Sequence, residues 1–141
     1  MTDIVTRQTR SRMMAAIKSK NTRPEIALRR QLFALGFRYR LHPKNLPGRP
    51  DLVLPRYRAA IFVHGCFWHA HDCRDFRWPK SNRAFWERKL RRNVALDEAT
   101  SRRLKEQGWR VLIVWECAIR HAKPGDLERL GSEVAAWLRS N

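Results

Sequence analysis

The chain has 141 residues, enough for one domain, and 43% of them are apolar, enough for a single core rather than a disordered basic tail. Thirty Lys and Arg against 13 Asp and Glu leave a formal charge of +17, an electrostatic footprint for nucleic acid and, less readily, for an anionic membrane surface. No apolar run approaches the roughly 20 residues of a membrane span, the N-terminus has no apolar signal-peptide core, and three cysteines are an odd number for a disulfide framework.

Residues 9–20 read as a short basic helix within a basic N-terminal segment, 1–20, suited to contacting nucleic acid. Twelve Lys and Arg fall in residues 1–50, opposed only by Asp3 and Glu25. Thr22 is placed to cap a second helix near Pro24 that runs to Gly36, with Ile26, Leu28, Leu32 and Leu35 facing a core. Phe37–Leu41 is strand-like. A turn at 45–48 separates it from two short apolar strands, Asp51–Leu54 and Ala59–Val63, expected to form a hairpin. A loop spans 64–80. A long helix over 82–107 ends at Gly108, with Trp86, Leu90, Val94, Asp97, Ser101 and Leu104 along one stripe. Trp109–Trp115 is a strand whose continuous Val111–Val114 run predicts burial on both faces. A last amphipathic helix covers 126–139. The order predicts one α/β domain over 1–141, a mixed sheet flanked by helices.

Asp51 follows a Pro-Gly turn and Pro50, which cannot donate to a ladder and so belongs at a strand's start. A carboxylate held at a sheet end can bind Mg²⁺ through oxygen, although a turn Asp is more often turn chemistry alone. The next strand carries no acid-x-Lys, so a pattern common in metal nucleases is broken. His64 and His69 are left to supply proton chemistry.

Cys66, His71, Cys73 and Cys117 make a possible Cys₃His set for a structural Zn²⁺, which takes such ligands tetrahedrally. A cytosolic protein using cysteine for metal fits this usage. The spacing is not that of a standard finger, and three buried, inert cysteines are the alternative. His69 competes with His71 for the ligand role. Phe67 and Trp68 lie between these ligands, either capping the sheet or forming a wedge to drive between base pairs. Trp86, Lys89 and Asn93 share one helical face and suit the reading of base edges, unless that helix is merely solvated and basic.

Thr9-Arg10-Ser11, the Pro-Gly-Arg-Pro-Asp run at 47–51, and the runs at 61–69 and 109–117 resemble the very short patch repair mismatch endonucleases. The likeness extends over about residues 9–120. It implies a restriction-endonuclease-like fold, and an enzyme nicking one strand of duplex DNA 5′ to the thymine of a T·G pair left by deaminated 5-methylcytosine. The products would be a 5′-phosphate and a 3′-hydroxyl. Asp51 would ligate two Mg²⁺ ions, joined by the backbone carbonyl of Val63, a position where the family often has Thr. His69 would be the general base, oriented by Glu25, with His64 assisting through water held by the metal. Cys66, His71, Cys73 and Cys117 match the zinc ligands; Ala70 departs from a His-rich run and favours His71. Phe67, Trp68 and Trp86 match the aromatics inserted beside the mismatch, and Lys89, Asn93 and Met14 the further DNA contacts.

The resemblance also implies a monomer in the bacterial cytoplasm, associated with the nucleoid through DNA. Contact with general mismatch-repair proteins and a repair polymerase rests on it alone. A related metal nuclease of different specificity, or a zinc-stabilised DNA-binding module without catalysis, are the rival readings. The joint presence of Asp51, Glu25, His64 and His69 argues against the second.

Overall fold

The computed structural model describes residues 21–140. The expected helix over 9–20, the Thr9-Arg10-Ser11 motif and Met14 lie outside the described residues. Helix α1 covers Arg23–Ala34, and Thr22 caps it by accepting a hydrogen bond from the Glu25 N–H. Strands β1 (Arg40–Leu41), β2 (Leu52–Leu54) and β3 (Ala59–His64) follow, then the long helix α2 (Arg83–Glu106) and strand β4 (Arg110–Trp115). A single helical turn, α3 (Glu116–Arg120), leads to the last helix, α4 (Asp126–Arg139).

The four strands form one mixed sheet in the order β1-β2-β3-β4. The first two pairings are antiparallel and the β3–β4 pairing is parallel. Parallel neighbours need a long crossover, and the loop after β3 together with α2 supplies it. Strand β3 is central and almost wholly buried. Side chains alternate along it. Ala59, Ile61 and Val63 face α1 and α4, where they join Leu28, Leu32, Leu52 and Leu138 in the larger core cluster. Ala60 and Phe62 face α2, in a smaller cluster with Val53 and Leu104.

Three expectations change. The strand at 37–41 shortens to two residues, because Phe37 turns into the core and only Arg40 and Leu41 pair with β2. The apolar Val111–Val114 run packs against both clusters, yet β4 is an edge strand and only Val114 is buried. Leu35 is exposed at the end of α1. The α3 turn was not expected at all.

Two contacts tie the periphery down. The Arg110 guanidinium donates to the Trp137 and Leu138 carbonyls at 2.9 and 2.8 Å and also to that of Tyr57, satisfying free carbonyls at the end of α4. Gly48, at φ +73°, lets the turn before Asp51 touch α2: a Cβ there would stand 2.3 Å from Thr100 Cγ2. No helix among the described residues is long and apolar enough to cross a membrane.

Candidate active site and metal centre

Three clusters of polar side chains gather near the C-terminal end of β3. The first is Cys66, His71, Cys73 and Cys117, whose ligand atoms all lie within 4.8 Å of one another. Sequence brings them there in a simple way. His64 of β3 pairs with Trp115 of β4, and Cys66 and Cys117 each lie two residues further on. The loop then returns: the His71 N–H donates to the Cys66 carbonyl at 2.9 Å, with Ala70 in the left-handed region at φ +49°. The His71 ring stacks on Trp115 at 3.9 Å, and its Nδ1 stands 3.6 Å from Cys117 Sγ. All three cysteines are free thiols, and burial pushes the Cys66 thiol up to about 12. Ligands about 2.3 Å from a tetrahedral metal stand close to 4 Å apart, so both the donor set and its spacing fit a soft or borderline cation. His71 belongs to this cluster and His69 does not. A second tie holds the loop: Asp75 pairs with His121 just beyond α3 at 2.7 Å, which keeps the Asp75 carboxyl below its usual range.

The second cluster is His64, His69 and Asp97. His64 ends β3 on the α2 side and is 7% exposed. Its ring stacks on His69 at 3.7 Å, nearly parallel at 3°. Burial, and then the neighbouring His69, depress the His64 imidazole to about 3, so it stays neutral at physiological pH. His69 Nδ1 pairs with Asp97 Oδ2 at 2.5 Å, a short charge-assisted contact. The pair opens on a cleft of about 490 Å³ lined by His64, His69, Asp97, Ser101, Arg102 and Trp115. Asp97 and Ser101 are the polar interruption of the α2 stripe, which faces this cleft rather than a continuous core.

The third cluster is Glu25, His42 and Asp51. Asp51 Oδ2 accepts from the Val63 N–H at 2.7 Å, which fixes the carboxylate against β3. Glu25, 1% exposed, reaches it from α1. Burial pushes the Asp51 carboxyl up to about 7, with the Glu25 charge adding and the Val63 N–H opposing. Two carboxylates crowded in a buried corner, one of them anchored by a main-chain N–H, suit a hard divalent cation.

The expectation that Glu25 orients His69 is corrected here. Glu25 lies with His42, Arg29 and Asp51, and the carboxylate on His69 is Asp97. The reason is topological: α1 covers the opposite face of the sheet from α2. Asp97 carried a sequence signal, an acid in an apolar stripe. His42 and Trp115 carry no such signal in the sequence.

The aromatics form one continuous patch. Phe67 meets Trp68, Phe76 and Trp86 at 5.2 to 6.1 Å. Trp68 is 37% exposed and Phe67 only partly so, so the tip is one exposed ring on an aromatic base. The α2 face converges on it: Lys89 Nζ lies 5.9 Å from the Trp68 ring, and Asn93 Nδ2 donates to the Trp68 carbonyl at 3.0 Å.

The sequence matches the family DNA mismatch endonuclease Vsr over residues 2–75. It is 47% identical over 119 residues to the Type II nicking enzyme V.XorIIP of Xanthomonas oryzae pv. oryzae, covering 84% of this chain and 88% of that protein. It is 44% identical over 121 residues to the Type II nicking enzyme V.NmeAIP of Neisseria meningitidis, covering 86% of each chain. It is 43% identical over 138 residues to the DNA mismatch endonuclease Vsr of Escherichia coli (strain K12), covering 98% of this chain and 88% of that one.

The raised Asp51 carboxyl makes a stability prediction. A group that holds its proton more tightly when folded favours the folded state at low pH, and that advantage is lost as pH rises from about 4 to about 7. Without added divalent cation, Asp51→Asn is therefore expected to be the more stable protein at pH 8, by on the order of 1–3 kcal/mol. Urea denaturation across pH should show the gap opening between about pH 4 and 7 and staying level above; a gap that is absent or independent of pH contradicts the burial account.

Proposed function

This chain belongs to the DNA mismatch endonuclease Vsr family, and on that premise we propose that it nicks one strand of duplex DNA 5′ to the mismatched thymine of a T·G pair. The observation that supports it most is the 2.5 Å pairing of His69 Nδ1 with Asp97, beside the end of β3 that also holds Asp51. A base needs an imidazole whose far nitrogen is an acceptor. A carboxylate on Nδ1 selects that tautomer and stabilises the imidazolium that forms.

In this reading His69 Nε2 takes the proton from the attacking water, and Asp97 holds the ring in place. Neutral His64 backs the ring by stacking and does not carry the proton itself. Asp51 and the Val63 carbonyl would hold two Mg²⁺ ions, which when bound supply charge stabilisation at the attacking and leaving oxygens. Cleavage would leave a 5′-phosphate and a 3′-hydroxyl. Glu25 raises the negative charge around Asp51 rather than steering the base. Arg102, on the cleft wall, attracts the phosphate backbone.

Cys66, His71, Cys73 and Cys117 would hold one structural Zn²⁺, which keeps the short loop carrying Phe67, Trp68 and His69 rigid. Phe67, Trp68 and Trp86 would form the wedge at the mismatch, whose opening costs less than that of a Watson–Crick step. Lys89 and Asn93 would read the T·G pair; one N–H of the Asn93 amide is spent on the Trp68 carbonyl, leaving its oxygen and its second N–H for reading. We read the α/β frame as restriction-endonuclease-like, one endonuclease domain with the basic segment 1–20, including Met14, laid on DNA. The setting would be the bacterial cytoplasm, with the protein a monomer.

His69→Ala is expected to slow single-turnover nicking by about 10²-fold or more while binding to a T·G duplex changes little. Asp97→Asn should fall between the variant and the parent. A near-normal rate for His69→Ala, or a far larger loss for His64→Ala, would reassign the base.

Trp68→Ala should weaken binding to a T·G duplex while leaving a matched duplex almost unaffected at the same salt concentration. Base–aromatic stacking is worth about 1–3 kcal/mol, and matched DNA gains none of it. Equal losses on both duplexes would make Trp68 a packing residue.

A further inference from the structure

His42 has no part in the reaction above, yet its placement is costly. It sits at φ +46°, in the left-handed region that residues with a Cβ avoid, directly before Pro43. Strain of this kind persists only where the surroundings enforce it, and it concentrates at functional sites. The His42 N–H donates to the Asp51 carbonyl at 3.3 Å. The turn aims Nε2 at two carboxylates: Glu25 Oε2 at 3.0 Å and Asp51 Oδ1 at 3.7 Å.

No hydrogen bond results. Both Glu25 Oε2 and His42 Nε2 are shut off from solvent, and among the described residues neither makes a hydrogen bond, to the other or elsewhere. Arg29 stands 3.4 Å from the same Oε2 as an ion pair, again without a hydrogen bond. Buried polar atoms are nearly always satisfied, and two orphans facing each other mark the place of a group that both can bind. The geometry suits a cation. Two ligands about 2.1 Å from one ion, at right angles, stand about 3.0 Å apart, which is the Glu25–His42 separation.

We propose that His42 Nε2 is a direct ligand of the divalent cation at Asp51 and biases that site toward Mn²⁺ over Mg²⁺. The chemistry of the donor set decides the preference. Mg²⁺ is hard, takes oxygen ligands and sheds water reluctantly, whereas imidazole suits the more borderline first-row ions. Arg29 offsets part of the carboxylate charge, which lowers the site's purely electrostatic pull and leaves more to the nitrogen ligand. The inference rests on the reading of Asp51 as a metal carboxylate.

The test uses the full-length protein without DNA, its thiolate site loaded with Zn²⁺ so that Mn²⁺ cannot enter there. Mn²⁺ is titrated by electron paramagnetic resonance, and pulsed measurements detect a directly bound nitrogen. The parent should show that nitrogen coupling. His42→Asn keeps a residue that tolerates the left-handed backbone. It should lose the coupling and bind Mn²⁺ about tenfold more weakly, with Mg²⁺ affinity, read by competition, falling less. Absence of nitrogen coupling in the parent overturns the proposal and needs no variant to do so. Coupling that survives in His42→Asn but vanishes in His69→Ala overturns it too, by placing the ion in the other cluster. Asp51→Asn separates the two readings. If it abolishes Mn²⁺ binding while His42→Asn leaves the coupling intact, the metal carboxylate stands and only the His42 ligand falls. If Asp51→Asn binds Mn²⁺ as the parent does, the metal carboxylate falls as well.

Discussion

The parallel pairing of β3 with β4 is the constraint on which the rest of the site depends. Its register runs from Ala59–Arg110 to His64–Trp115 without a break. Because both strands point the same way, both end at the same edge, and whatever follows each is delivered to one place. Cys66 follows one strand and Cys117 the other. Slipping the register by a single residue would turn His64 to the opposite face of the sheet. Ile61 buried on one face of β3 and Phe62 on the other make such a slip expensive, since each displaced core side chain of this size forfeits about 1.5–3 kcal/mol of burial.

From that edge a six-residue loop serves two purposes at once. Its ends, Cys66 and His71, belong to the thiol–imidazole cluster, while between them it presents Phe67, Trp68 and His69. Trp115 is the shared wall: it stacks on His71 at 3.9 Å and meets the edges of His64 and His69 at 5.4 and 6.3 Å. The cluster that holds the loop and the cluster suited to move a proton therefore share one aromatic spacer. Helix α2 closes the arrangement from the other side, with Trp86, Lys89 and Asn93 on the aromatic patch and Asp97 on His69, one turn after another along a single face. The thin core beneath α2 leaves room for the cleft.

Much of this was legible in the sequence. Apolar runs and turn residues gave the order of elements, and Thr22 and Gly36 marked the ends of α1. The cysteine–histidine loop was conspicuous because its residue types are rare and close together. What stayed hidden depended on distance in the chain. Glu25 and Asp97 lie on helices covering opposite faces of the sheet, and no local pattern says which of two acids will reach His69. His42 sits in a turn whose left-handed backbone leaves no periodic trace. The helical turn at Glu116–Arg120 is shorter than any pattern a period of 3.6 can establish, and the Val111–Val114 run read as buried on both faces because an edge strand with a helix packed on each face carries the same apolar pattern.

That these clusters form one site that nicks DNA at a mismatch is tested most directly by incubating the purified protein and Mg²⁺ with end-labelled duplexes that are identical except for one pair, T·G in one and T·A in the other. A single nick is expected in the T-containing strand of the T·G duplex, immediately 5′ to that thymine, with a 5′-phosphate on the downstream fragment and none of it on the T·A duplex. Equal nicking of both duplexes, cleavage of both strands, or binding without any nick would contradict it.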